Sequence, residues 1–186
     1  MKTQSEALIL NLIETTKQNL SFVELLKQKN DTELNWKENL ESWSMLECLQ
    51  HLNLYGYFYI PEIEKVMLKS KYKSEAEFKS GILGNYFAEI MLPKQKLNKM
   101  KTFKDKNPLN SILDRKVIDE FINQQIKIID LLNKSKTTSL SKNKIKLTLT
   151  KYIKLKLGDT FRFVINHNIR HIKQIQYNIK IQTAIG

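Results

Sequence analysis

The sequence predicts an all-α protein, a four-helix bundle with a short extended segment before its last helix. Three observations lead there. Glycine and proline are scarce, five and three in 186 residues, which favours long helices over a turn-rich β fold. Apolar residues recur at helical spacing through four long segments. One of those segments opens on Ser44-Met45-Leu46-Glu47, a capping box in which Ser44 accepts from the Glu47 N–H while the Glu47 carboxylate reaches back.

The first helix is expected over residues 4–29, where Leu8, Leu12, Phe22, Val23 and Leu26 share a face. A polar connector, Lys29-Asn30-Asp31-Thr32-Glu33, then leads to Trp36 and Trp43, which are expected to anchor it on the bundle; Trp43 is also placed to wall a pocket. The second helix starts at the capping box and runs to about Lys69 on the stripe Met45, Leu49, Leu52 and Tyr55. It accommodates Gly56 and Pro61, the latter with a kink. A third stretch, Phe78 to Phe87, is irregular at first and turns helical toward Met91, and Pro93 to Pro108 is a lysine-rich loop. Ile118, Phe121, Ile122, Gln125, Ile128, Ile129 and Leu132 give a continuous face from about 112 to 134. Between 143 and 157 the period drops to two, with Ile145, Leu147, Leu149, Ile153, Leu155 and Leu157 alternating with Lys and Thr. That pattern predicts a hairpin or a strap across the bundle. The last helix is expected from about Leu157 to Ile181. The length suits one domain spanning 1–186, large enough to bury a core without staples.

Several functions are disfavoured by composition. With Cys48 alone there is no internal disulfide, and a reducing, cytoplasmic location is the simplest expectation. No signal peptide is expected, and no run of about 18 apolar residues offers a membrane span, so a membrane is not expected as a partner. The net charge of +12 invites a polyanion partner, with lysines crowding Lys94 to Lys106 and Lys134 to Lys156. Yet nucleic-acid recognition also wants a defined groove element or interleaved aromatics, and the clusters hold only Phe103 and Tyr152. Nucleic acid is therefore not expected as a partner; a small-molecule substrate is.

The chemistry concentrates in histidine. Of three in the chain, His167 and His171 stand four apart, so on a helix they stack on one face and can grip a metal ion from one side. Random placement of three histidines gives such a pair in only about 3% of chains this long. The third, His51, falls beside the apolar stripe of the second helix. Three imidazoles from two facing helices would hold a divalent ion with open positions. Around them, Arg170 is a candidate to meet a substrate anion or, more simply, to pair with Glu47 across two helices. Gln174 and Asn53 are candidates to orient an imidazole through its second N–H. Cys48, one turn before His51, is a conceivable fourth ligand but more simply a small buried hydrophobe. No Glu adjoins the histidines as in H-E-x-x-H, so a general base would come from elsewhere, for example Glu14 or Glu89.

These residues also carry a family resemblance. Trp43-Ser44-Met45-Leu46-Glu47-Cys48-Leu49-Gln50-His51-Leu52-Asn53 resembles the W-S-x-x-E-x-x-x-H-L signature of the DinB-like superfamily. Leu157-Gly158-Asp159-Thr160-Phe161-Arg162-Phe163, leading into His167-Asn168-Ile169-Arg170-His171-Ile172-Lys173-Gln174, is similar to its C-terminal H-x-x-R-H-x-x-Q helix, and Gly81 to Phe87 is similar to one branch of the family. The resemblance implies a four-helix bundle with a divalent metal on His51, His167 and His171, and a homodimer in many members. It implies an enzyme, a transferase using a low-molecular-weight thiol or a hydrolase acting on a small molecule; the alternative reading is a metal-bound bundle without turnover that binds or senses. Zinc is the first expectation for the ion, with nickel, iron and manganese as alternatives.

Overall fold

The computed structural model describes residues 1–93, 102–148 and 150–185. Six helices and two small sheets follow in the order β1 (Lys2–Gln4), α1 (Ser5–Leu25), α2 (Asp31–Asn35), α3 (Met45–Leu68), β2 (Glu77–Lys79), α4 (Ile82–Met91), α5 (Lys116–Lys134), β3 (Lys144–Leu147), β4 (Thr150–Lys156) and α6 (Leu157–Ile185). α3 packs on α5 and α6, and α1 packs on the same two, so α1 and α3 occupy opposite corners of a four-helix bundle. α4 lies outside it against α6.

The local signals explain most boundaries. Ser44 and Glu47 form the capping box in full, and α3 runs through Gly56 and Pro61 to Leu68. A second capping box, Asn30 with Glu33, starts the short α2 inside the polar connector. α1 ends at Leu25 and continues as a 3₁₀ turn through Gln28, close to the expected limit of residue 29. The third stretch is more regular than its sequence suggested. Glu77–Lys79 pairs antiparallel with Lys2–Gln4, and α4 follows at Ile82. The period-two segment is a hairpin, with Ile145 opposite Leu155 and a bulge after Lys146. α5 starts at Lys116, later than the expected 112, and α6 extends to Ile185. Residues 94–101 of the lysine-rich loop and Leu149 of the alternating stretch lie outside the described residues.

α6 is buried on nearly every side from Leu157 to Ile172, because α1 and α3 cover one flank and α4 the other. Such a helix needs internal partners for its polar side chains. Asp159 and Arg162 find theirs in the strand-to-α4 corner. The fully buried Asp159 carboxylate accepts from the Gly81 N–H at 2.8 Å and from the Ser80 hydroxyl. Arg162 donates to Asn85 at 3.0 Å and meets Glu89 at 2.7 Å. Gly84 lets α4 sit this close, since a Cβ there would collide with Asp159.

The apolar core comes in two parts. One gathers Tyr55, Tyr59 and Ile63 of α3 with Phe161, Val164 and Ile165 of α6, under the hairpin residues Ile145, Leu147 and Leu155. The other gathers Leu46, Leu49 and Leu52 of α3 with Ile172 and Ile175 of α6 and Ile118 and Phe121 of α5. Along α3 the division falls at His51 to Tyr55, and along α6 between Ile165 and Ile172. A polar layer crosses the bundle there.

Candidate metal centre

That layer holds all three histidines. The helical repeat brings His167 and His171 onto one face of α6, and the facing α3 supplies His51. His167 Nε2 lies 3.1 Å from His51 Nε2 and 3.0 Å from His171 Nε2. One donor nitrogen from each of the three converges within 4.8 Å, the one such group among the described residues. They are 3%, 5% and 8% exposed for His51, His167 and His171, too buried for water to satisfy them freely.

The outer nitrogens fix which way the lone pairs point. His51 Nδ1 sits 2.6 Å from the carbonyl of Lys106; a carbonyl only accepts, so Nδ1 carries the proton and Nε2 presents a lone pair. His171 Nδ1 donates to Gln174 Oε1 at 3.0 Å, with the same consequence. Two inward lone pairs and the Nε2 of His167 therefore meet in a dry site. Metal–nitrogen bonds of about 2.0–2.1 Å put neighbouring donors about 3.0–3.4 Å apart, so both of these separations suit donors sharing one ion. Three neutral imidazoles are a donor set for a divalent ion, and the residues present fit one.

Electrostatics point the same way. Burial pushes the His51 imidazole down to about 4, against the opposing pull of its hydrogen bond to the Lys106 carbonyl, and the Lys106 charge lowers it slightly further. Burial first, then their charged-state repulsion with one another and with Arg170, holds His167 and His171 well below the ordinary value. All three are neutral at pH 7 and available as ligands. Arg170 is itself buried and raises the local positive potential.

Aromatic rings wall the cluster. Trp43 lies 4.7 Å from His51 and 5.5 Å from His171, ring centre to ring centre, and Tyr55 lies 4.6 Å from His167. Trp43 also anchors the connector, its carbonyl accepting from Asn178 at 2.8 Å. Burial pushes the Tyr55 phenol up to about 12, so it stays protonated. Tyr55 follows His51 by four residues and shares its face; that spacing was visible in the sequence, where the residue passed as core. The Lys106 carbonyl had no sequence signal, because a backbone acceptor can come from any residue type.

The remaining candidates separate. Gln174 stands against His171 as expected. Asn53 does not reach an imidazole: its amide donates to the Val117 carbonyl at 3.0 Å and ties α3 to α5. Glu47 is 2% exposed and bonds the Lys37 ammonium at 2.7 Å, the Asn110 N–H at 2.6 Å and the Ser44 N–H at 2.8 Å. A pairing with Arg170 is not among its contacts. Cys48 is a fully buried thiol in the core, its pKa raised by burial, and stands apart from the histidine group. Glu89 is engaged by Arg162, and Glu14 is exposed and accepts from Gln18 at 3.2 Å, so neither is drawn into the cluster.

The profile of the DinB superfamily matches residues 13–175, a span that includes all three histidines and Gln174. The chain belongs to the DinB superfamily. No curated protein and no solved structure matches it. A mainly helical bundle with a buried three-histidine cluster is what this member of the superfamily presents, and the cluster is compatible with metal binding. Among the described residues no helix is long and apolar enough to cross a membrane.

Proposed function

We propose that this DinB superfamily chain is a cytoplasmic metal-dependent enzyme holding one divalent ion on His51, His167 and His171, and that it transfers a small thiol onto an electrophile, with hydrolysis of a small molecule as the second reaction open to the same site. The observation that carries the proposal is the convergence of three buried Nε2 atoms, two of them with their Nδ1 protons committed elsewhere. Zinc is the first candidate, ahead of nickel, iron and manganese.

When bound, a divalent ion on three neutral ligands supplies undiminished Lewis acidity, enough to bring a thiol or water to its anion near neutral pH. The protein does the rest. Lys106 and Gln174 hold two imidazoles in register by taking their outer protons. Trp43 and Tyr55 restrict water beside the cluster. Arg170 adds positive potential, which favours an anionic reactant such as a thiolate over a neutral one. We rank thiol transfer ahead of hydrolysis because a thiolate is the softer ligand for such an ion. In a homodimer each chain would carry its own complete set of ligands.

The test loads the protein with zinc and follows consumption of glutathione, cysteine or a similar small thiol with an activated electrophile, beside His171→Ala. Turnover in the parent and none in the variant supports the enzyme. One ion per chain with no turnover across thiols and ester substrates would make the bundle a binding or sensing module instead.

A further inference from the structure

The hairpin carries an arrangement that the metal centre does not use. Its register sets Lys144 opposite Lys156 and Lys146 opposite Lys154. Cross-strand neighbours lie about 5 Å apart, and like charges so placed repel. The same occurs on the other ribbon, where Lys2 faces Lys79. The two ribbons touch, for the Lys156 ammonium donates to the Lys79 carbonyl at 2.7 Å. Among the described residues only Lys2 of these six has a carboxylate partner, Glu77 at 2.8 Å. Isolated lysines would be enough to keep ribbon edges from pairing with other chains. Facing pairs carry a repulsion that mixed-sign pairs would avoid.

Apolar groups adjoin the lysines. Tyr152, on the same strand face as Lys154 and Lys156, is 97% exposed. α4 begins beside Lys156, where a Cβ on Gly81 would lie 3.9 Å from the lysine Cε, and its first residue, Ile82, is 92% exposed with Leu83 exposed next to it. Aliphatic side chains have no use against a phosphodiester backbone, and lysines lack the planar fork that reads bases. Lysines rimming exposed aliphatic and tyrosine side chains suit a lipid headgroup layer, in which the ammonium groups meet anionic phosphates and the apolar groups dip beneath them.

We infer that the β1–β2 and β3–β4 ribbons, with the start of α4, form a docking surface for an anionic phospholipid bilayer. Contact with a surface needs no spanning helix, and the metal ligands take no part in it.

The test sediments the full chain with vesicles of phosphatidylcholine alone and of phosphatidylcholine with phosphatidylserine, at low and raised salt, with short duplex DNA measured alongside. Binding is expected only where phosphatidylserine is present, and salt releases it. Lys154→Glu converts a repelling pair into an attracting one, so the hairpin is not put at risk; it is expected to weaken vesicle binding at least about fivefold. Ile82→Ser, on an exposed site, is expected to weaken it as well, and both variants keep the parent's circular dichroism and metal content. Equal binding to both vesicles, no binding to either, or lysine-dependent binding of DNA without binding of vesicles would each overturn the proposal.

Discussion

His51 Nε2 and His167 Nε2 lie 3.1 Å apart although one belongs to α3 and the other to α6, 116 residues later. Two buried aromatic nitrogens this close are tolerated only if a proton or a cation lies between them. The relationship makes stability depend on pH. An unfolded histidine takes its proton near 6.5, whereas folded His51 resists until about 4. Between those values the unfolded chain binds more protons, so the contribution is whole above pH 6.5 and is lost as pH falls through the window. For His51 alone it amounts to about 3 kcal/mol. Urea midpoints of metal-free protein should fall steadily from about pH 7 to about pH 4.5; a flat profile would mean the imidazoles are not buried as a neutral cluster.

Gln174 accepts the His171 Nδ1 proton and is free to change without removing a ligand. Gln174→Ala should weaken metal affinity about 10–100-fold, by chelator competition, with the helical spectrum intact. Unchanged affinity would reduce Gln174 to a helix-surface residue.

Glu47 has more work than its capping box. The box alone would make Glu47→Ala cost about 1 kcal/mol. The additional bonds to Lys37 and the Asn110 N–H, made at a site 2% exposed, raise the expected loss to about 2–4 kcal/mol. A denaturant titration giving about 1 kcal/mol or less would show that water replaces those two partners.

Gly81, just before α4, and Gly84, within it, make a matched pair. Gly84→Ala drives a methyl into the Asp159 carboxylate and should cost about 1–3 kcal/mol in thermal or chemical unfolding. Gly81→Ala, whose Cβ would come no nearer than 3.4 Å to the same carboxylate, should be nearly neutral. Equal costs would contradict the close α4–α6 contact.

The legible parts of this protein were those set by local rules. The capping box at Ser44, the 3.6-residue stripes and the switch to period two in 143–157 each act within a few residues, and each element lies close to where they point. The histidines were legible because an i, i+4 pair and a third imidazole are rare enough to stand out. What was not legible depends on contacts distant in sequence. The short β1–β2 ribbon joins residues 2–4 to 77–79, and neither segment is long enough to declare a strand. Glu47 looked like a partner for Arg170 because both are polar on facing helices, yet two separate connectors reach it, Lys37 from the one before α3 and Asn110 from the one before α5. Asn53 lies two residues past His51, about 200° around the helix, so it faces Val117 rather than the cluster.

The proposed chemistry depends on one divalent ion held by His51, His167 and His171. Elemental analysis of untagged protein purified without chelator, beside His167→Ala, tests it most directly. About one ion per chain is expected in the parent and none in the variant, with both helical. No ion in the parent even after reconstitution, or full retention in His167→Ala, would contradict it.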